Sequence, residues 1–270
     1  EVFDAVSTNN ALLYMLQKRG NLKVVSGGRT FTHPIYYKQN TSFKSYPRLG
    51  TISTPIMDDD TRAEYPIKIV AGSIVLSLLD LAMNAGQREK LLDLAEETVK
   101  RAKISMSEVL GDQVFATGAA ADDFDGLQHL ISDTPSTQTD VGGIDPSAAG
   151  NDYWRNYVST TAIPTFNTAQ AGLNAMNTAT NKSVHGRQGP KAVVTTPTIY
   201  NLYELGLTPQ MRYTTTELAD ASFMHLAYKT LPVVFDSNCP DDHMYGVDTD
   251  SLWLQVLAQG NMEITDMQNS

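Results

Sequence analysis

Between Asn84 and Asp112, the residues Leu92, Ala95, Val99, Ala102, Met106 and Val109 recur at steps of 3, 4, 3, 4 and 3. That spacing puts all six on one face of an α-helix. Glu96 with Lys100 and Glu97 with Arg101 add favourably oriented pairs on the far side, and Asn84 is placed to cap the start. About 27 residues at 1.5 Å each give a rod about 40 Å long, more than twice the usual length in globular proteins. Such a helix is a spine for something extended. A carboxylate set into its stripe, as in Val99→Asp, is expected to prevent soluble folding, because burying an unpaired charge costs several kcal/mol.

Strand chemistry surrounds this helix. From Leu22 to Lys38, β-branched and aromatic residues alternate loosely with polar ones across the Gly27-Gly28 break, and a second such stretch runs from Glu64 to Leu79. The apolar run Ile69–Leu79, closed by Asp80, is too short for a membrane helix of about 20 residues, so it is expected to be a buried strand or helix segment. Gln39 to Ala63 shows no helical period. Either the flanking strands are misplaced or this insert is a two-stranded arm leaving the body, and an isolated hairpin needs something to lie on. Further expectations are a short helix or arm before Gly20, and loops and short strands over 116–152. A helix follows from Phe166 through Met176 with Asn167 as its cap, then a strand over Lys191–Thr195 and a helix from Pro197 to Gly206. Strands are expected at Phe223–Leu226, Leu231–Phe235, Met244–Val247 and Leu252–Leu257. The mixture reads as α+β rather than a regular βαβ series.

Charge narrows the function. The 270 residues hold 20 Lys and Arg against 30 Asp and Glu, a net charge of −10, which argues against a protein whose main work is gripping nucleic acid. Charged residues are only 19% of the chain, so part of the surface is expected to face partners. Cys239 is the single cysteine, so no intrachain disulfide or four-cysteine zinc site is expected. The chain opens on Glu1 with no basic and apolar leader pattern, so no signal peptide is read.

Chemistry-bearing patterns are sparse. There is no phosphate loop, dinucleotide fingerprint, nucleophile elbow or HExxH pair. Cys239 and His243, four apart, could share a metal, but with Pro240 between them a polar turn is the better reading. Asp58-Asp59-Asp60 and Asp122-Asp123-Phe124-Asp125 could gather a hard cation, yet neither has calcium-loop spacing, so solvated turns are preferred. Asn40-Thr41-Ser42 and Asn181-Lys182-Ser183 match the glycosylation pattern by chance. Tyr153, Trp154, Arg155 and Tyr157 could stack a ring, but packing is preferred. No catalytic, cofactor-binding or metal residue is assigned and no cofactor is expected. A metal-dependent hydrolase built on Asp122, Asp123 and Asp125 near His129 is kept as a minor alternative.

The order of these elements resembles the major capsid proteins of tailed bacteriophages that share the Hong Kong 97 fold. The resemblance rests on Gly27-Gly28-Arg29-Thr30-Phe31 running to Pro34-Ile35-Tyr36-Tyr37, the return through Tyr65-Pro66-Ile67-Lys68 into Val70–Leu79, and Asn84-Ala85-Gly86 leading into the long helix. It continues in Asp125-Gly126-Leu127, in Gly143-Ile144-Asp145 with Trp154-Arg155-Asn156, and in Leu231-Pro232-Val233-Val234 with Met244-Tyr245 to Leu252. It implies an N-terminal arm over 1–25, an extended hairpin loop over 26–79, a peripheral domain with the spine helix over 80–130 and 246–270, and an axial domain over 131–245. The implied function is a non-enzymatic coat subunit that self-assembles through pentamers and hexamers into an icosahedral shell around double-stranded phage DNA, assembled in the bacterial cytoplasm and resident in the virion. Its implied partners are many copies of itself, then scaffolding, portal or decoration proteins, with weak DNA contact and no membrane. An encapsulin-like compartment is the alternative within the same fold. Lys38 and Lys44 lie where some members crosslink to a neighbour's asparagine, but no such crosslink is expected here.

Overall fold

In the computed structural model, the protein is described over residues 10–56, 60–75, 88–160, 165–186, 188–207 and 225–259. In chain order the elements are α1 (Ala11–Lys18), β1 (Leu22–Val25), β2 (Thr30–Tyr36), β3 (Asp60–Pro66), α2 (Arg88–Val114), α3 (Leu127–Leu130), α4 (Ala171–Ser183), β4 (Ala192–Thr195), α5 (Pro197–Gly206), β5 (His225–Tyr228), β6 (Leu231–Phe235), β7 (Met244–Val247) and β8 (Leu254–Leu257). The chain divides into two compact units. The first is Glu1–Gly27, Lys68–Ile131 and Tyr157–Ser270; the second is Gly28–Ile67 and Ser132–Asn156.

The first unit is organised by a four-stranded sheet in the order β5-β6-β4-β7, with β4 parallel to β6 and antiparallel to β7. Side chains alternate across a strand, and β4 is buried at all four positions. Ala192 and Val194, with Val234, Tyr245 and Val247, join a core completed by Leu12, Met15 and Leu16 of α1, Phe115 and Leu127. Val193, with Val233, Leu226 and Tyr228, joins the other core, under Met176 of α4 and Ile199, Tyr200 and Tyr203 of α5. The phenol of Tyr203 donates to Ala227 O at 3.0 Å, and burial pushes its pKa up to about 12.

α1 is tied in at both ends. Asn10 Oδ1 accepts from Leu13 N at 3.0 Å, and Asn21 Nδ2 donates to Leu252 O at 2.9 Å beyond the left-handed turn at Gly20. Leu22–Val25 then pairs in parallel with Leu254–Leu257. The short helix expected before Gly20 is present, and its Leu12, Met15 and Leu16 pack into the core of this unit.

α2 runs 27 residues, as its period requires. Its inward line among described side chains is Val99, Ala102, Met106 and Leu110, with Ser107 and Gly111 fully covered, whereas Val109 is exposed. A strict seven-residue repeat drifts by about 20° per heptad against a straight helix, so Leu110 takes the inward place expected of Val109. Val99 is half-buried, so Val99→Asp costs less in this chain than a carboxylate in the sheet would. Asn84 lies outside the described residues. The Glu97–Arg101 pair forms at 2.5 Å.

Two other expectations are modified. The described part of the apolar run, Ile69–Val75, has no regular secondary structure, and Ile69 and Val75 are exposed; among described residues no backbone hydrogen bond offers 68–75 a strand to pair with. α4 starts at Ala171, after a 3-10 turn over Thr168–Gln170 that has Asn167 at its N-cap position without a side-chain cap bond. Phe166 O accepts from Gly172 N at 2.8 Å while the Phe166 ring fills the space over Gly172, so the regular α-helix begins only after the 3-10 turn.

Asp236 is buried at the start of α1, where the backbone N–H groups of Ala11, Leu12 and Asn238 lower its pKa but burial wins and raises it. A raised folded pKa means that the ionised carboxylate costs stability above that pKa, and the cost disappears below the unfolded value of about 3.9. Asp236→Asn is therefore expected to melt higher than the parent at pH 7, with the two melting curves converging toward pH 4. A variant that melts lower at pH 7 would show that the charge stabilises α1.

Candidate assembly surface

The second unit is built on the β2–β3 hairpin, paired in seven rungs from Thr30↔Pro66 to Tyr36↔Asp60. One edge of β3 is taken by the loop 132–156, whose Gly142 O accepts from Glu64 N at 2.8 Å. Gly142 has φ +63°, and a Cβ there would lie 2.8 Å from the Tyr65 ring and 3.0 Å from Ala63, so this backbone approach needs glycine.

The loop is held by side chains that satisfy its own carbonyls. Trp154 Nε1 donates to Val141 O at 2.9 Å, Asn151 Nδ2 to Asp145 O at 2.8 Å, and Asn156 Nδ2 to Ser132 O at 2.8 Å. Arg155 spans three acceptors: Pro146 O at 2.5 Å, Ser147 O at 3.0 Å and Asp152 Oδ1 at 2.5 Å. The Ser147 hydroxyl, donating at 2.6 Å, draws the Asp145 pKa below its ordinary value. Gly143-Ile144-Asp145 and Trp154-Arg155-Asn156, far apart in the motif, thus form one staple. Arg155→Ala leaves two loop carbonyls without their donor and is expected to cost about 2 kcal/mol. Arg155→Lys should recover little, because one ammonium cannot reproduce the planar fork. Thermal melts of both variants check this, and a neutral Arg155→Ala would refute it.

Beyond Tyr36 the hairpin continues as a tip with its own scaffold. Asn40 Oδ1 accepts from Ser42 N at 2.9 Å and Ser42 Oγ at 2.7 Å, Tyr46 OH donates to Ser42 O at 2.8 Å, and Gly50 N donates to Pro47 O at 2.8 Å. Side chains not used in this scaffold face solvent: Phe43 is 81% exposed, Leu49 96%, Ile52 65%, and Ile56 fully. At the base, the Tyr37 and Tyr153 rings stack at 4.5 Å, and burial raises the Tyr153 pKa. Sequence reasoning placed the insert but missed its order. The available signals were the Asn-x-Ser turn and the Tyr46-Pro47…Gly50 spacing.

The other candidates resolve into caps and turns. Cys239 Sγ donates to His243 O at 3.9 Å rather than meeting the imidazole, which stacks on Tyr245 at 5.7 Å; burial pushes the thiol up to about 12. Asp123 accepts from Gln113 Nε2 and Ala120 N, both at 3.4 Å, and Gln113 Oε1 accepts from Phe124 N at 2.8 Å. His129 Nδ1 donates to Thr117 O at 3.1 Å, with Nε2 3.8 Å from Asp125 Oδ1. Asp122 is exposed. Of Asp58-Asp59-Asp60 only Asp60 is described, opening β3. Tyr157 lies under Lys182 at 4.8 Å. Among described residues no three His, Cys, Asp or Glu come together to hold a metal, and no helix is long and apolar enough to cross a membrane.

No protein-family model and no curated protein matches the sequence. A solved structure, the "Cyanophage A-1(L) capsid asymmetric unit", superposes with a TM-score of 0.66 over 94% of this chain and 79% of that one, at 18% identity. This chain has the Hong Kong 97-like capsid fold. A second structure, the "Capsid of native GTA particle computed with C5 symmetry", aligns at a TM-score of 0.40 and 13% identity over 83% of this chain and 72% of that one.

Proposed function

We propose that the protein is the coat subunit of a tailed bacteriophage, assembling through pentamers and hexamers into an icosahedral shell around double-stranded DNA. The capsid fold carries this reading, at a TM-score of 0.66 over 94% of the chain. The assignment of arm (1–25), extended loop (26–79), peripheral domain (80–130 and 246–270) and axial domain (131–245) belongs to the same proposal. So do scaffolding, portal or decoration partners, residence in the virion, assembly in the bacterial cytoplasm, and the lack of a catalytic step.

The hairpin tip supplies the physical support. Its large apolar side chains bury little against described residues, so most of their burial free energy is available only on association. A contact in which the tip of one subunit lies over the next is head-to-tail, and repeated around an axis it closes a ring. The net charge of −10 suits a container wall, since a basic lining would hold packaged DNA fast. Negative-stain microscopy and native mass measurement of the purified full-length chain should show rings or shells. A monomer at every concentration would refute the reading.

A further inference from the structure

The β2–β3 ladder has a fixed phase. Ile67 N donates to Arg29 O at 3.3 Å, next to the first rung, and Glu64 N donates away from β2, to Gly142 O at 2.8 Å. In an antiparallel pair, residues that bond each other alternate with residues whose N–H and C=O point away from the partner. With Thr30 opposite Pro66 and Tyr36 opposite Asp60, the bonds to β3 fall at Phe31, His33 and Ile35, and Thr30, Thr32, Pro34 and Tyr36 turn their backbone groups outward. All four are exposed, and among described residues no backbone hydrogen bond reaches that edge. Proline has no N–H, so Pro34 interrupts the outward row without costing the ladder a bond. The two edges of the hairpin are thus closed differently. Loop 132–156 occupies β3 at Glu64, whereas β2, Thr-Phe-Thr-His-Pro-Ile-Tyr, carries no Lys, Arg, Asp or Glu to deter pairing and has Pro34 instead.

We propose that Pro34 is a guard residue that keeps the open edge of β2 from pairing antiparallel with β2 of a second copy. An edge on which N–H and C=O groups alternate is complementary to itself, and β-branched and aromatic residues favour such pairing. A β2–β2 contact is isologous, so it closes at a twofold dimer and leaves nothing to extend, whereas a ring needs contacts that run head-to-tail. On the coat-subunit reading that dimer would be a dead end which withdraws subunits from assembly, but the guard itself does not depend on that reading. A twofold contact centred on this short strand meets position 34 on both copies, so one proline per chain removes two donors from it. Specificity here comes from disfavouring the wrong partner rather than from favouring the right one.

The test compares full-length Pro34→Thr with Thr32→Pro/Pro34→Thr, in which the missing N–H moves to the neighbouring outward position. Both keep the bonds of Phe31, His33 and Ile35 to β3, and parental circular dichroism checks this. Self-association is followed by sedimentation velocity over a concentration series, and amide hydrogen exchange is read on the species lighter than any ring or shell. Pro34→Thr should dimerise roughly tenfold more tightly than the parent or more, with slowed exchange at Thr30, Thr32 and Tyr36, and the shifted proline should restore parental behaviour. Parental association in Pro34→Thr would overturn the guard. So would a dimer in which those three amides exchange at the parental rate, because its contact would lie elsewhere. Neither result touches the coat-subunit reading, which stands or falls on the particles formed by the parent chain; if the parent forms none and Pro34→Thr still dimerises through β2, the guard survives without it.

Discussion

Gly126→Ala is expected to lower the melting temperature of the subunit by roughly 6–12 °C, the shift that a loss of about 3 kcal/mol produces in a chain of this size. The added Cβ would sit 2.6 Å from Ala116 O and 2.7 Å from Gln113 O, and nearer still to Ala116 N. All three are backbone atoms at the end of α2, where Ala116 N donates to Gln113 O at 3.2 Å, so none can swing aside as a side chain would. Gly126 φ is −74°, which alanine adopts without strain, so the penalty is one of space alone. Overpacking a core costs about 1–3 kcal/mol and more where backbone must move. Phe115 and Leu127, on either side of this crossing, are both buried in the first unit's core, so a shift here spreads into that core. Gly27→Ala is the control, since a Cβ there meets nothing within 4 Å and should change stability by less than about 0.5 kcal/mol. If Gly126→Ala melts with the control, the close crossing does not exist.

The contrast between those two glycines shows what the sequence discloses. α2, α5 with its Thr196 cap, and the strands β4, β6 and β7 are legible because a period or a cap is written into neighbouring residues. Gly126 is visible only as part of Asp125-Gly126-Leu127; its need for glycine comes from a helix end ten residues earlier, and no local pattern records that approach. Pairing at long range is equally silent. Leu22–Val25 finds Leu254–Leu257 more than 220 residues away, a pairing that neither segment announces. Ile69–Val75 misleads in the opposite direction, since its composition suits a buried strand but among described residues no strand edge is offered to it. The candidate surface was legible as an insert lacking a helical period. Its order depends on Tyr46 reaching back to Ser42 and on Asn40 folding over Ser42, contacts made by polar side chains that hydrophobic patterning ignores.

Excising the hairpin tip should separate folding from assembly. Replacing residues 38–58 by an Asn-Gly turn keeps all seven rungs of β2–β3, the Gly142 contact with Glu64 and the stack of Tyr37 on Tyr153. A cut extended to residue 62 would instead remove the rungs at Asp60, Thr61 and Arg62 and confound the result. Because Phe43, Leu49, Ile52 and Ile56 bury little within their own chain, the excised subunit should keep the parental circular dichroism and melt within a few degrees of it. Assembly is a different matter. Fully burying four such side chains is worth at most about 6–12 kcal/mol per contact, set against about 4–15 kcal/mol of lost translational and rotational freedom. Removing a term of that size moves the association from favourable to unfavourable, and every subunit in a ring both gives one tip and receives one, so the loss falls on each contact. Sedimentation velocity should find only small species where the parent gives shells. Shells at the parental yield would mean that the tip is not what joins the copies, and its exposed apolar side chains would then need another partner.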